Sequence, residues 1–266
     1  MVKKLLISGC SYGMAYSAIE EDLKNLFGVD EVLNLSNYAA SPDRQMRVVI
    51  EWIAQNGKPD MVIVPVSHYN RFDLPIAKKF DPLNNLHWRT SWQEDIDKIY
   101  SEDRKNNIDP RFDLETVKTF LKAGAILHDA EHTIHDGLFV KLITFQSYLQ
   151  LNGIRHLIFD TGNYYEKIWM EYLSIDEENN SGYQPGMKKR DLIENCKGIY
   201  KFFSFCSNVW MYQQLTDEQK RNYFPYQENT QLPYPLGEDE QVHIHHRPEM
   251  VLKLMKHLTK EGAVYG

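Results

Sequence analysis

Ser11 is the side chain around which chemistry can be built in this sequence. It sits in the stretch KKLLISGCSYGMAY, where an apolar run (Leu5, Leu6, Ile7) is cut off by Ser8-Gly9-Cys10-Ser11-Tyr12-Gly13 and followed by residues at helical spacing. That pattern reads as strand, tight turn and helix. In an open parallel sheet such a turn lies at the carboxyl end of its strand, the side on which ligands bind. The helix start behind Ser11 offers N–H groups without intrahelical acceptors, able to hold an anion or a developing oxyanion, which is what a serine nucleophile needs beside it. The same residues admit a plainer reading, a glycine-bearing turn in which Ser8 and Ser11 only cap the helix.

A second group with chemical capacity is His128, Glu131, His132 and His135, whose histidines at i, i+4 and i+7 share one helical face. With His243, His245 and His246 they could form a metal site, since neutral imidazole is a common ligand. Asp129, Glu131 and Asp136 in the same turns favour a solvated helix start instead, and no His-Glu-x-x-His pattern occurs, so no metal is expected.

The elements that must position Ser11 follow in order. Ile19, Leu23, Leu26 and Phe27 fall on one helical face, with Gly28 as the cap, and Val32 to Leu35 reads as a second strand. Ser41 caps the next helix, Pro42 suits its first turn and Asp43 its positive end, and Met46, Val49, Trp52 and Ile53 form the buried stripe up to Gly57. Met61-Val62-Ile63-Val64-Pro65-Val66 is a continuous apolar run, the mark of a strand buried on both faces. Leu138, Leu142, Phe145 and Leu149 share a helical face before Gly153, and His156 to Phe159 is a fourth strand ending at Asp160-Thr161-Gly162. A last helix carries Met250, Val251, Leu254, Met255 and Leu258. This β-α-β-α alternation predicts an α/β fold: a doubly wound, mostly parallel sheet with helices on both faces, three layers in all. Residues 1–266 read as one domain carrying two insertions, about 72–127 and 175–240.

Composition narrows the function classes. The chain has 266 residues, 42% hydrophobic and 25% charged, close to the globular average, so a large core is within reach and no extended disorder is required. A formal net charge of −7 with no basic cluster argues against a nucleic-acid surface. Cys10, Cys196 and Cys206 give an odd count without disulfide spacing, which fits a reducing compartment. Lys3-Lys4 and the apolar run ending at Cys10 look like a lipoprotein cleavage box, but the run is too short for a signal h-region. With no run of about 18 apolar residues either, no membrane span is proposed and a cytoplasmic location is expected.

Four blocks in order carry a family resemblance: strand-GCSY-helix at the N-terminus, NLSNYAAS after strand two, VIVPVSHYNR at the end of strand three, and a His-rich segment before the last helix. Together they resemble the SGNH (GDSL-type) hydrolases. The resemblance implies an SGNH/flavodoxin-like sheet and an esterase that removes an acyl group from a small molecule or a sugar (a glycan ester), with no cofactor. Gly9-Cys10-Ser11-Tyr12 falls on the Gly-Asp-Ser-Leu motif, which makes Ser11 the nucleophile and puts Cys10 where the family has aspartate. Ala39 falls on the oxyanion-hole glycine, where a backbone N–H survives the change. Ser67 takes the place of the asparagine donor, Asn70 could substitute for it, and Arg71 could instead bind an acidic substrate group.

The fourth block admits two registers. Acid-to-base spacing pairs Glu240 with His243, whereas the proline and the helix start put His245 in the base position, with Asp239 or Glu240 as the orienting carboxylate. The second is preferred. His243 and His245 would face the same way in an extended segment, and His245 lies nearer the helix start at Arg247-Pro248, whose dipole favours a neutral imidazole. Since Cys10, Ala39 and Ser67 all replace expected residues, a binding protein that kept the fold and lost the chemistry is the rival reading, ahead of a metal-dependent hydrolase.

Overall fold

The computed structural model describes residues 2–37, 40–67, 132–161 and 248–265, with scattered positions between 113 and 123 and between 210 and 214; of residues 132–139 it gives the helix backbone. Four strands, β1 (Lys4–Ile7), β2 (Glu31–Asn34), β3 (Met61–Val66) and β4 (Arg155–Asp160), form one parallel sheet in the order β2-β1-β3-β4. The chain therefore steps outward from β1 to β2, then crosses back over β1 to β3 and continues to β4. Because parallel crossovers share one hand, reversing the direction of travel moves the connecting helices to the other face.

Both faces are covered. Alternation along the strands sends Leu5, Ile7, Ile63 and Phe159 to one side, against Leu23 and Phe27 of α2 (Glu20–Phe27) and Leu254 and Leu258 of the last helix, α5 (Pro248–Lys260). Leu6, Val62, Val64 and Ile158 face the other side, against Val49 and Ile53 of α3 (Pro42–Asn56) and Leu142 and Phe145 of α4 (His132–Leu151). This is the expected three-layer α/β arrangement. β3 is buried along its whole length, as its unbroken apolar run requires, whereas β2 at the edge is half-buried throughout.

Local signals act where the residues suggest. Ser41 Oγ accepts the Arg44 N–H at 3.1 Å with Pro42 in the first turn of α3, and Gly28 ends α2 in the left-handed region at φ 64°. Strand two sits one residue earlier than the sequence suggests, although Leu35 still donates to the Ile7 carbonyl at 2.7 Å.

The first helix is a larger departure. Instead of running unbroken from the turn, it is a single α-turn, α1 (Ser11–Met14), then a 3₁₀ segment Ala15–Ile19, then α2. The cause is Asn34, whose Nδ2 donates to the Gly13 carbonyl at 2.8 Å and to Ser17 Oγ at 2.9 Å. A continuous α-helix would give that carbonyl to the Ser17 N–H, so a side chain from the end of β2 competes for the bond and the coil tightens.

The two proposed insertions lie almost wholly outside the described residues. Among the described residues, no helix is long and apolar enough to cross a membrane.

Candidate active site at the sheet switch point

The carboxyl ends of β1 and β3 flank the point where the chain reverses its direction across the sheet, and open α/β sheets bind ligands in the crevice at such a point. Pro65 opens this crevice. Ile63 turns its backbone toward β1, where its carbonyl takes the Ser8 N–H at 2.9 Å. Two residues on, Pro65 turns the same way beyond the end of β1, so the N–H it lacks has no partner to lose. Its carbonyl accepts Gln45 Nε2 at 3.1 Å, a side chain of α3 reaching in where a strand would otherwise be.

The turn after β1 is locked by close packing. A Cβ on Gly9 would stand 2.7 Å from Gly13 Cα and 2.8 Å from Pro65 Cγ, and one on Gly13 would overlap Ser36 Oγ. Both positions need glycine for space. Gly9 donates to Ser36 Oγ at 2.8 Å and accepts from Asn37 N at 3.1 Å, which ties the turn to the loop after β2. Ser8 is buried and donates its hydroxyl to the Gln45 carbonyl at 2.8 Å.

Ser11 occupies the first position of α1 and is half-buried, while Cys10 before it and Tyr12 after it are buried. The Cys10 thiol is free, and Ser11 Oγ lies 4.0 Å from Cys10 Sγ, a long and weak contact. Ser8 is thus a structural tie rather than a helix cap, and the cap position Cys10 makes no side-chain bond to the helix. Tyr16, buried on the 3₁₀ segment, has its phenol pushed well above the usual tyrosine range, first by burial and then by the neighbouring Cys10, so it stays neutral.

Ser67 directly follows β3 and is fully buried. Its hydroxyl donates to the Ala40 carbonyl at 2.6 Å and its N–H donates to Gln45 Oε1 at 3.2 Å. In this arrangement Ser67 pins the loop after β2 to the end of β3; to donate to an oxyanion it would have to leave Ala40. Gln45 is the hub that inspection of the sequence missed, bonded to Ser8, Pro65 and Ser67. A signal for it was present: Gln45 lies on the i, i+4 stripe with Val49 and Ile53, and a polar side chain on a buried helical face needs partners. Thr161, after β4, donates both its hydroxyl and its N–H to the Val66 carbonyl, at 2.7 and 3.2 Å.

The structure therefore brings Ser11 and Ser67 to the same end of the sheet. Ala39, Asn70, Arg71, Asp239, Glu240, His243 and His245 lie outside the described residues, as do His128, Glu131 and His246. His132 and His135 are on the backbone of α4. Among the described residues, no three His, Cys, Asp or Glu side chains are grouped to hold a metal ion. No protein-family model, curated protein or solved structure matches the chain.

Proposed function

We propose that the protein is an SGNH-like serine hydrolase that cleaves an ester, an acyl group carried on a small molecule or a sugar. The observation that carries this reading is Ser11: a half-buried serine at the first turn of a helix, on a tightly packed strand-to-helix turn beside the switch point of a parallel sheet. Ser11 Oγ attacks the acyl carbonyl while an imidazole, His245 or alternatively His243, takes its proton and then returns it to the departing alkoxide. Water repeats the sequence on the acyl-enzyme and frees the acid. Asp239 or Glu240 orients the imidazole. The oxyanion is held by the N–H groups of Ser11 and Ala39, with Asn70 as the side-chain donor, because the Ser67 hydroxyl already donates to Ala40. Arg71 is available to an acidic group on the substrate.

Reaction with a fluorophosphonate serine-hydrolase probe tests the proposal. Labelling that vanishes in Ser11→Ala supports it, and labelling unchanged in that variant removes it.

A binding protein on the same scaffold is favoured by one specific observation, the engagement of the Ser67 hydroxyl by a loop carbonyl in place of an open donor. On that reading the wild type takes no probe, and Ser11→Ala is as inert and as stable as the parent.

A further inference from the structure

The ladder between β1 and β3 stops short of the end of β3, and the side chain that continues it is Gln45. The last rung between the two strands runs from the Ser8 N–H to the Ile63 carbonyl at 2.9 Å. With Ile7 opposite Ile63, the parallel pattern would next bring the Cys10 N–H to the Pro65 carbonyl and the Cys10 carbonyl to the Ser67 N–H. The Gln45 amide takes both places: Nε2 donates to the Pro65 carbonyl at 3.1 Å, and Oε1 accepts the Ser67 N–H at 3.2 Å. The Cys10 carbonyl turns instead to the Gly13 N–H at 3.0 Å. The chain after Ile7 can therefore leave the sheet and form the serine turn while the buried end of β3 keeps its hydrogen bonds.

The same residue holds the other two elements of the site. Its backbone carbonyl accepts the Ser8 hydroxyl at 2.8 Å, which fastens the start of the serine turn to α3. Ser67, fixed by its N–H on Gln45, donates its hydroxyl to the carbonyl of Ala40, the residue after Ala39. Gln45 is fully buried and shares its helical stripe with Val49 and Ile53, which pack on the sheet. One rigid group thus reaches the strand end, the serine turn and the loop after β2.

We propose that Gln45 is a positioning residue for the hydrolysis, its amide standing in for the missing strand so that Ser11 and the oxyanion donors keep a fixed separation. This role rests on the serine-hydrolase reading. Gln45 touches neither substrate nor nucleophile; it acts through Ser8, Pro65 and Ser67. Its loss should therefore appear in kcat, since a reacting group displaced by about 1 Å can cost on the order of 10²-fold in rate.

The experiment measures kcat and KM of the full chain for p-nitrophenyl acetate between about pH 5.5 and 9, a range chosen because burial raises a carboxyl. Wild type, Ser11→Ala, Gln45→Met and Gln45→Glu are compared, with circular dichroism at each pH to confirm folding. Gln45→Met keeps the length of the side chain and removes both amide bonds, so its kcat should fall on the order of 10²-fold with little change in KM. In Gln45→Glu the protonated carboxyl can accept from Ser67 and donate to the Pro65 carbonyl as the amide does, whereas the carboxylate sets a second acceptor against that carbonyl. Its kcat, taken relative to wild type at the same pH, should recover toward the parent as pH falls. A role in stability alone would not tie the kcat of folded protein to that one proton. Wild-type kcat in folded Gln45→Met overturns the positioning role and leaves the serine hydrolase standing. If Gln45→Met does not fold, a Gln45→Glu ratio that does not move with pH overturns it, as does failure of both variants to fold. Absent hydrolysis in wild type, or hydrolysis unaffected by Ser11→Ala, overturns both.

Discussion

Replacing Gly9 by alanine perturbs the serine turn without touching Ser11 itself. The new methyl would lie 2.7 Å from Gly13 Cα, 2.9 Å from Gly13 N and 2.8 Å from Pro65 Cγ, all shorter than any relaxed carbon contact. Two of those atoms are backbone and the third belongs to a ring fixed in a buried strand, so no flexible side chain can swing aside. Relief requires the turn to lift away from Pro65. Overpacking of this kind costs roughly 1–3 kcal/mol, and rigid neighbours argue for the upper half of that range. For a chain of this size that is a fall in Tm of about 4–5 °C. Lifting the turn also moves Ser11, and a displacement of about 1 Å in a reacting group can cost on the order of 10²-fold in rate. Differential scanning fluorimetry and the rate of fluorophosphonate labelling read the two effects separately. Gly28→Ala is the control, because a Cβ there meets nothing within 4 Å but φ is 64°, so it should lose stability through backbone strain and keep its labelling rate. If Gly9→Ala melts with the wild type and labels at the wild-type rate, the turn is not held as described.

Ser67→Ala removes the donor to the buried Ala40 carbonyl, and a lost buried hydrogen bond should cost about 1–3 kcal/mol in urea unfolding, with a labelling loss far smaller than that of Ser11→Ala. Burial of His156 lowers its pKa below the ordinary 6.5, against a smaller opposing effect of its bond to the Ile154 carbonyl. The unfolded chain then binds the proton more readily, so this contribution to stability is intact above the unfolded value and is lost as pH falls toward the folded one, at up to about 1.4 kcal/mol per pH unit. Urea midpoints between pH 5 and 8 should show that slope in wild type and a shallower one in His156→Phe. His245→Ala should lower kcat by orders of magnitude with little change in KM and His243→Ala much less, as steady-state kinetics on p-nitrophenyl acetate would show; the reverse ranking would shift the base to His243.

What could be read from the residues was what depends on neighbours in the chain. The apolar run Met61–Val66 announced a strand buried on both faces, and Ser41-Pro42-Asp43 announced the start of α3, because periodicity and capping are local. The spacing of Leu142, Phe145 and Leu149 gave the buried face of α4 for the same reason. The break after Met14 was not legible, since its cause, the Asn34 amide, arrives from the end of a different strand. Ser67 illustrates the limit for the site. Its position at the end of β3 follows from the apolar run, but whether its proton is free depends on a carbonyl 27 residues away.

The packing of α5 against the 3₁₀ segment and against Tyr16, Ile19 and Leu23 joins residues near 250 to residues near 20. During synthesis Val251 and Leu254 are made more than two hundred residues after the serine turn. Until they arrive, the contacts that α5 makes with Tyr16, Ile19 and Leu23 cannot form. Closing this face of the sheet therefore depends on contacts of long sequence separation, the kind that slow folding. Truncation before Val251 should leave a sheet that can assemble around β1 and β3 while the face that α5 covers stays open.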